Sequence, residues 1–425
     1  MSDAFNDLGN VTRSHIPAAN TLARTDVPHV SQQPVWEGRT VPEGGEAVSY
    51  PPCDKTKLAG IPRIVRFWFI MQYWMRLRRS LYGLKQSGRM WYNRMSEYLT
   101  SQGYGNNELC PCVFIKKSHS GFTIIAVYVD DMNLIETPAK LEEIVAHLKS
   151  EFEIKDLGKT WYHLSLEIKH CSDGILVHQS NYTQKVLRHF NEDKAKPSST
   201  HMVIRTLDAK RDPFYPKKDE EEILEPEVSY LGAIGALIYL AQCTRPNICF
   251  AVNLLVRYSN APTRRHWNGV KDIFRYLKGT TDLTLFYTHE SSSVAAPYGP
   301  WIDSRLVGYA DAGYLSDPHR TRSQMGYVFI VGDTAIFWRS TKQTLVTTSS
   351  NHAEILALHE ASRECFWLRE VMGHIRSTSG LTSVVDLPTT IFEDNAACIE
   401  QLNKGYIKGD NTKHIAPKFF YSHQQ

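Results

Sequence analysis

The feature that most constrains this chain is an apolar run interrupted by two adjacent carboxylates. Residues 122–135 read Phe-Thr-Ile-Ile-Ala-Val-Tyr-Val-Asp-Asp-Met-Asn-Leu-Ile, which predicts two β-strands that meet at Asp130 and Asp131. Neighbouring carboxylates repel each other, and divalent cations would neutralise them beside an apolar core. An Asp-Asp pair is also ordinary chemistry for a hairpin turn. The pair alone therefore leaves a structural and a catalytic interpretation open.

Three more acidic residues fall at the boundaries of predicted elements beyond residue 300. Asp311 ends a predicted strand, Glu354 lies in the first turn of a long amphipathic helix, and Asp394 follows a strand at 389–392. Two further strands are predicted at 325–331 and 335–339. Carboxylates from three such elements can converge, and two Mg²⁺ ions held roughly 3.5–4 Å apart suit phosphodiester hydrolysis.

Each of these residues also has a structural explanation. Asn351 and Glu354 have the spacing of a capping box. Asp394 or Asn395 is a suitable N-cap for the last helix, and Asp311 fits a turn with the Ala-Gly that follows it. Only the joint placement of the three carboxylates favours a shared site.

Several motifs carry a resemblance to a known family. Tyr128-Val-Asp-Asp131 resembles the catalytic box of the reverse transcriptase palm. Four further motifs flank it: Ser80-Leu-Tyr-Gly-Leu-Lys-Gln86, Trp91, Lys155-Asp-Leu-Gly158 and Leu166-Glu-Ile168. Three motifs lie in the C-terminal part: Tyr309-Ala-Asp311, Ser349-Ser350 with Ala353-Glu354, and Glu393-Asp394-Asn395. In this order they resemble the Pol polyprotein of copia-type LTR retrotransposons, with its reverse transcriptase and ribonuclease H, from about Arg76 onward.

The resemblance implies an α+β chain with a partial reverse transcriptase palm and a helical thumb or connection, followed by a ribonuclease H-like α/β domain. The expected divisions are a disordered or non-homologous segment at 1–60, the palm at 61–190, a linker and helical region at 191–299, and the ribonuclease H-like domain at 300–425. The catalytic and metal-binding residues it implies are Asp130, Asp131, Asp311, Glu354 and Asp394.

The same resemblance implies Mg²⁺ as cofactor, with Mn²⁺ as a substitute, and an RNA template, an RNA–DNA hybrid and dNTPs as partners. The expected location is intracellular, in a cytoplasmic particle or the nucleus. In an intact relative the first pair would serve DNA synthesis on RNA, and the second set would cut the RNA of the hybrid.

Two departures from the family pattern bear on activity. Relatives carry a further polymerase Asp on an upstream strand, and no matching strand is predicted around Asp26 or Asp54. The terminal block has Ala416 where the family has Asp, so a second cation is expected to bind weakly. We therefore expect a truncated protein with an impaired polymerase, and the alternative is a non-catalytic, nucleic-acid-binding remnant.

Composition agrees with a globular protein of two or three domains. The 425 residues are 42% hydrophobic and 22% charged, and a net charge of +3 does not by itself indicate nucleic-acid binding. Residues 63–98 hold eight basic side chains and one acidic one among many aromatic rings, which suits phosphate contacts as well as a solvated helix face. A second basic set has the same two interpretations: Arg257, Arg264, Arg265, Lys271, Arg275 and Lys278. Cysteine spacing predicts neither a zinc site nor a disulfide framework, and no secretory signal or membrane span is predicted.

Overall fold

The computed structural model describes residues 11–15, 87–118, 121–136, 138–206, 208–225, 228–288, 306–381, 388–404, 415–416 and 419. The predicted motif at 80–86, most of the basic and aromatic segment, and both Asp26 and Asp54 lie outside these residues. Among the described helices, none has the length and apolar character needed to cross a membrane.

The first layer is an antiparallel sheet with two helices on one face. Its elements along the chain are α1 (Ser87–Ser101), β2 (Gly105–Asn107), β3 (Cys110–Ser118), β4 (Gly121–Tyr128), β5 (Asp131–Ile135), α2 (Pro138–Glu151) and β6 (Lys155–Lys159). The apolar faces of both helices are buried against the sheet, with Met95, Ile125 and Leu148 in one core. α1 ends where Gly103 adopts a φ of 83°, a conformation that favours glycine.

A further strand, β1 (Val11–His15), lies between β5 and β6 and pairs antiparallel with both. The sequence predicted a disordered or non-homologous segment at 1–60, with no strand in it, whereas these five residues form one. Val11 and Thr12 are β-branched, but five residues are too few to give a clear period, and the strand is formed by backbone pairing with two neighbouring strands.

The middle of the chain combines four short strands with a cluster of apolar helices. The elements are β7 (Tyr162–His163), β8 (Leu166–His170), β9 (Gly174–His178), α3 (Ser180–His189), α4 (Tyr230–Cys243), α5 (Cys249–Val256), α6 (Arg264–Gly279) and β10 (Leu285–Thr288). β10 pairs with β9, so the predicted boundary at residue 190 separates two strands of one sheet. The segment predicted as a linker after residue 190 packs tightly in part, because Phe214 is buried in the helical core.

The last layer is a four-stranded sheet with strand order β13-β12-β11-β14. Its elements are β11 (Val307–Asp317), β12 (Arg322–Val331), β13 (Thr334–Lys342), α7 (Ser350–Ser379), β14 (Thr390–Phe392) and α8 (Ala396–Lys404). The first three strands are antiparallel, and β14 pairs in parallel with β11. The long helix α7 covers the sheet, and Phe329, Ala361 and Leu368 meet in the core between them. The predicted order of strands and helices is the observed one.

Candidate active site

Asp311 lies inside a strand. Along β11 the burial alternates, with Ala310 and Ala312 buried and Asp311 exposed between them, and Asp311 pairs in register with Gly326 of β12. The turn that the sequence allowed at this position is therefore absent. A sheet backbone fixes the direction in which this carboxylate points.

Glu354 lies two residues further into α7 than the residue that would complete a capping box with the N-cap. The N-cap is Ser349, whose hydroxyl accepts a hydrogen bond from the backbone N–H of His352 at 3.1 Å. The capping box that the spacing of Asn351 and Glu354 allowed is absent, because the helix begins at Ser350 and the Asn351 amide donates to Gln401. Glu354 is only 5% exposed and has no capping role that would account for its burial.

Asp394 follows β14, and it does not cap α8, because the neighbouring Asn395 does. The side chain of Asn395 accepts from the backbone N–H of Cys398 at 2.9 Å, which makes Asn395 the residue that caps α8. Tyr309 of β11 and Phe392 of β14 are in register, and Asp311 and Asp394 each come two residues later. The parallel pairing therefore brings these two carboxylates side by side.

The three carboxylates, called the acidic triad here, converge. One oxygen from each of Asp311, Glu354 and Asp394 lies within 4.8 Å of the other two, with Glu354 buried and the two aspartates exposed. An all-oxygen donor set of this charge suits a hard divalent cation. The buried Oε2 of Glu354 has no hydrogen-bond partner, so the structure leaves it available to such an ion.

Electrostatics at the triad fit the same conclusion. Burial is the main cause that raises the pKa of Glu354 to about 8, and the carboxylates of Glu393 and Asp311 add to the rise, with a smaller addition from Asp394. The backbone N–H of Ala312 donates a hydrogen bond that opposes this rise in pKa. Without a cation, the group is therefore held largely as the neutral acid near neutral pH.

Glu393 is a fourth acidic residue beside the triad, and sequence reasoning did not select it. Its Oε1 accepts from the backbone N–H of Asn395 at 3.1 Å, whereas its buried Oε2 has no hydrogen-bond partner. Burial raises the pKa of Glu393, and Asp394 and Asp311 add to this rise. It lies outside the group of oxygens within 4.8 Å of one another. The available signal was the Glu-Asp pair after β14, of which only the second residue was selected.

Position 416, for which the motif resemblance implies an Asp, is adjacent to the same region. Ile415 is buried in a cluster with Ile355, Leu356 and Cys398, so the chain here runs past the first turns of α7. Ala416 is exposed and supplies no ligand. The structure thus places the departure from the family pattern close to the triad.

The other predicted pair, Asp130 and Asp131, lies in the β4–β5 hairpin. Asp130 is in the turn, and Asp131 begins β5 and is buried, with a carboxylate oxygen 3.9 Å from Nδ1 of His163. Val129 has a φ of 52°, which is strained for a β-branched residue. The indole of Trp91 donates to the Val129 carbonyl at 2.6 Å and holds the turn.

Within the part of the chain that the structure describes, this pair does not belong to a larger carboxylate group. Among the described residues, the acidic triad is the single group of three or more potential ligands found. In β1, the strand paired with β5, the residue in register with Asp131 is His15, and β1 contains no acidic residue. The pair and the triad are therefore separate candidate sites.

Most of the basic residues of the helical region are engaged within the protein. Arg257 pairs with Asp317, and the exposed fraction of each side chain is at most 10%. Arg265 pairs with Glu221, and Lys278 donates to the Ala195 carbonyl. Arg257 and Arg265 therefore have carboxylate partners within the protein, whereas the partner of Lys278 is an uncharged carbonyl. The interpretation of the whole set as a face for nucleic acid stays a prediction.

The comparisons with known proteins identify the family. Residues 71–204 match the family described as reverse transcriptase (RNA-dependent DNA polymerase). The Pol polyprotein from transposon TNT 1-94 of Nicotiana tabacum is 32% identical over 81% of the chain and 25% of its own length. Those from transposons RE2 and RE1 of Arabidopsis thaliana are 29% and 30% identical, each over 83% of the chain and 22% of their own length. The chain thus spans about a quarter of these relatives, and it belongs to the Pol polyprotein family of copia-type LTR retrotransposons.

Proposed function

We propose that residues 300–425 form a ribonuclease H-like domain that hydrolyses the RNA strand of an RNA–DNA hybrid. The observation that carries this proposal is the convergence of Asp311, Glu354 and Asp394 from β11, α7 and the end of β14. The sheet, with three antiparallel strands and a parallel fourth, supports it because it fixes two of the three carboxylates side by side.

In this proposal the triad holds Mg²⁺ or Mn²⁺. When bound, such ions activate a water for attack on the phosphodiester and stabilise the leaving oxygen. Asp311 and Asp394 are exposed, so they can face the nucleic-acid backbone, whereas the buried Glu354 is fixed by the helix and by the Ala312 N–H. Glu354 would therefore hold the cation from the protein side, and Asp311 and Asp394 would hold it from the solvent side.

The test is cleavage of the RNA strand in a labelled RNA–DNA hybrid, in Mg²⁺ and in Mn²⁺. Asp311→Asn should abolish cleavage, whereas Asp333→Asn, the same change at an exposed turn residue of the same sheet, should preserve it. Folded wild-type protein that cleaves in neither metal would refute this function. Salt-sensitive hybrid binding without turnover would then identify a nucleic-acid-binding remnant.

We also propose an RNA-directed DNA polymerase site at the β4–β5 hairpin, with an RNA template and dNTPs as partners. The match of residues 71–204 to reverse transcriptases favours it, since this range contains Asp130 and Asp131. We propose that its activity is impaired, because β1 pairs beside β5 without an acidic residue. Primer extension on an RNA template, with Asp130→Asn beside wild type, measures this polymerase activity. Rapid extension by wild type would contradict the impairment. Extension that Asp130→Asn leaves unaffected would contradict the polymerase site at the hairpin. The expected location is intracellular.

A further inference from the structure

Two buried carboxylate oxygens at the triad are left without donors. They are Oε2 of Glu354 and Oε2 of Glu393, neither of which has a hydrogen-bond partner. Burying an acidic oxygen without a compensating interaction is costly, and cations are one of the few partners that repay it. Because Glu354 is only 5% exposed, water cannot readily supply that compensation.

The position of Glu393 differs from that of the triad residues. Its other oxygen is fixed by the Asn395 N–H, so the carboxylate is oriented by the backbone at the start of α8. Among the carboxylates around Glu354, Glu393 exerts the strongest electrostatic effect on it. Glu393 nevertheless lies outside the set of mutually close triad oxygens. It therefore neighbours Glu354 without joining the cation position of the triad.

The chain lacks another acidic residue at the nearby position 416. Ile415 packs against Ile355 and Cys398, which brings Ala416 beside α7 and the start of α8, but an alanine offers no ligand oxygen. A second cation next to Glu354 would need a carboxylate from elsewhere on this side. In the described residues, Glu393 offers such a carboxylate, with a buried Oε2 that has no hydrogen-bond partner.

We propose that Glu393 is a ligand for a second divalent cation shared with Glu354, in place of the carboxylate absent at position 416. The inference rests on the proposed function of the triad. It assigns the triad oxygens to one cation and Glu393 with Glu354 to the other. The chain then has the two-cation arrangement that phosphodiester hydrolysis uses, with a ligand set of its own.

The test is calorimetric titration of the full chain with Mn²⁺, which reads binding without any need for activity. Wild type should bind two Mn²⁺ at this site, and Glu393→Gln should weaken the second by about tenfold or more. Glu400→Gln is the matched control, because Glu400 is an exposed glutamate of α8 paired only with Lys404 in the described contacts. The double variant Glu393→Gln/Ala416→Asp should recover the second Mn²⁺.

The outcomes separate this inference from the proposed function. If Asp311→Asn weakens Mn²⁺ binding but Glu393→Gln binds like Glu400→Gln, the role of Glu393 is refuted and the triad stands. Wild type that binds a single Mn²⁺ also refutes it. If Asp311→Asn leaves Mn²⁺ binding unchanged, the triad itself is refuted. Equal melting temperatures of the variants without metal would show that lost binding is not lost folding.

Discussion

Glu354 is a residue whose proposed role as a ligand requires a charge that its burial in the folded chain disfavours. Its carboxyl is buried among other carboxylates, and the pKa of about 8 measures how poorly the folded chain tolerates its charge. A bound cation removes that conflict by supplying the opposite charge. Such strained groups concentrate at functional sites because a residue chosen for stability alone would be apolar here.

The pH dependence of stability should reveal this conflict. The folded-state pKa of Glu354 is raised from an ordinary 4.5 to about 8, so its contribution to stability is fully present below the lower value and is lost as pH rises through the higher one. Glu354→Gln should therefore raise the free energy of unfolding of the metal-free chain at pH 8.5 by an amount on the order of 2 kcal/mol, which is measured as a higher melting temperature. At pH 4 the substitution should change little. A variant less stable than wild type at pH 8.5 would contradict the assigned cause.

Some of the site was readable from residue types and spacing, and some was not. The motifs around Asp311, Glu354 and Asp394 placed each residue on the correct element. Glu393 was missed because its importance comes from burial beside Glu354, and burial at the end of a three-residue strand leaves no periodic pattern.

At the scale of elements, the ends of helices were harder to predict from the sequence than the order of helices and strands. The chain offers Ser349, Ser350 and Asn351 as successive candidates to cap α7, and spacing alone favoured Asn351 with Glu354. The structure selects Ser349. This shift of two residues matters, because it turns Glu354 from a capping residue into a buried carboxylate without a local role.

The β4–β5 hairpin shows strain that a substitution can relieve. Val129 is 54% exposed, has a φ of 52°, and is held through its carbonyl by Trp91. Val129→Asn should stabilise the chain by about 1 kcal/mol, because asparagine tolerates this left-handed conformation better than valine. Denaturant unfolding measures the change.

A matched substitution separates strain from polarity in this prediction. Val346 is 52% exposed and has no positive φ, so Val346→Asn makes the same chemical change without relieving strain. It should give no gain in stability. Equal effects of the two substitutions would show that the turn stores no strain.

At the scale of the whole molecule, contacts between residues distant in sequence determine features that local sequence patterns left open. Arg257 fitted a basic nucleic-acid-binding face as well as a solvated helix face, and only the fold shows that it is buried beside Asp317, 60 residues later. Strand β1 was unpredictable for the same reason, since its order depends on partners more than 100 residues away. Element types followed from periodicity, whereas the pairing of the elements required the fold.

The Arg257–Asp317 pair joins the helical region to the C-terminal sheet, and it should control their joint stability. Nη1 of Arg257 lies 3.1 Å from Oδ2 of Asp317, and its Nη2 donates to Gln324, so α5 is linked to both β11 and β12. Arg257→Ala leaves a buried aspartate with only the more distant Lys342, at 3.8 Å, as a cationic partner. We expect a loss of about 3–5 kcal/mol, because breaking a buried pair leaves a charge that water cannot reach.

The control for this prediction is an arginine pair at the surface. Arg363 contacts Glu360 at 3.4 Å with 63% of its side chain exposed, so Arg363→Ala should cost less than about 1 kcal/mol. Thermal unfolding followed by circular dichroism compares the two variants, and equal shifts in melting temperature would contradict a special role for Arg257. If Arg257→Ala instead splits one transition into two, the pair couples the helical region to the sheet that carries the acidic triad. The geometry of the candidate site would then depend on a charge for which the sequence alone left a nucleic-acid-binding face and a solvated face open.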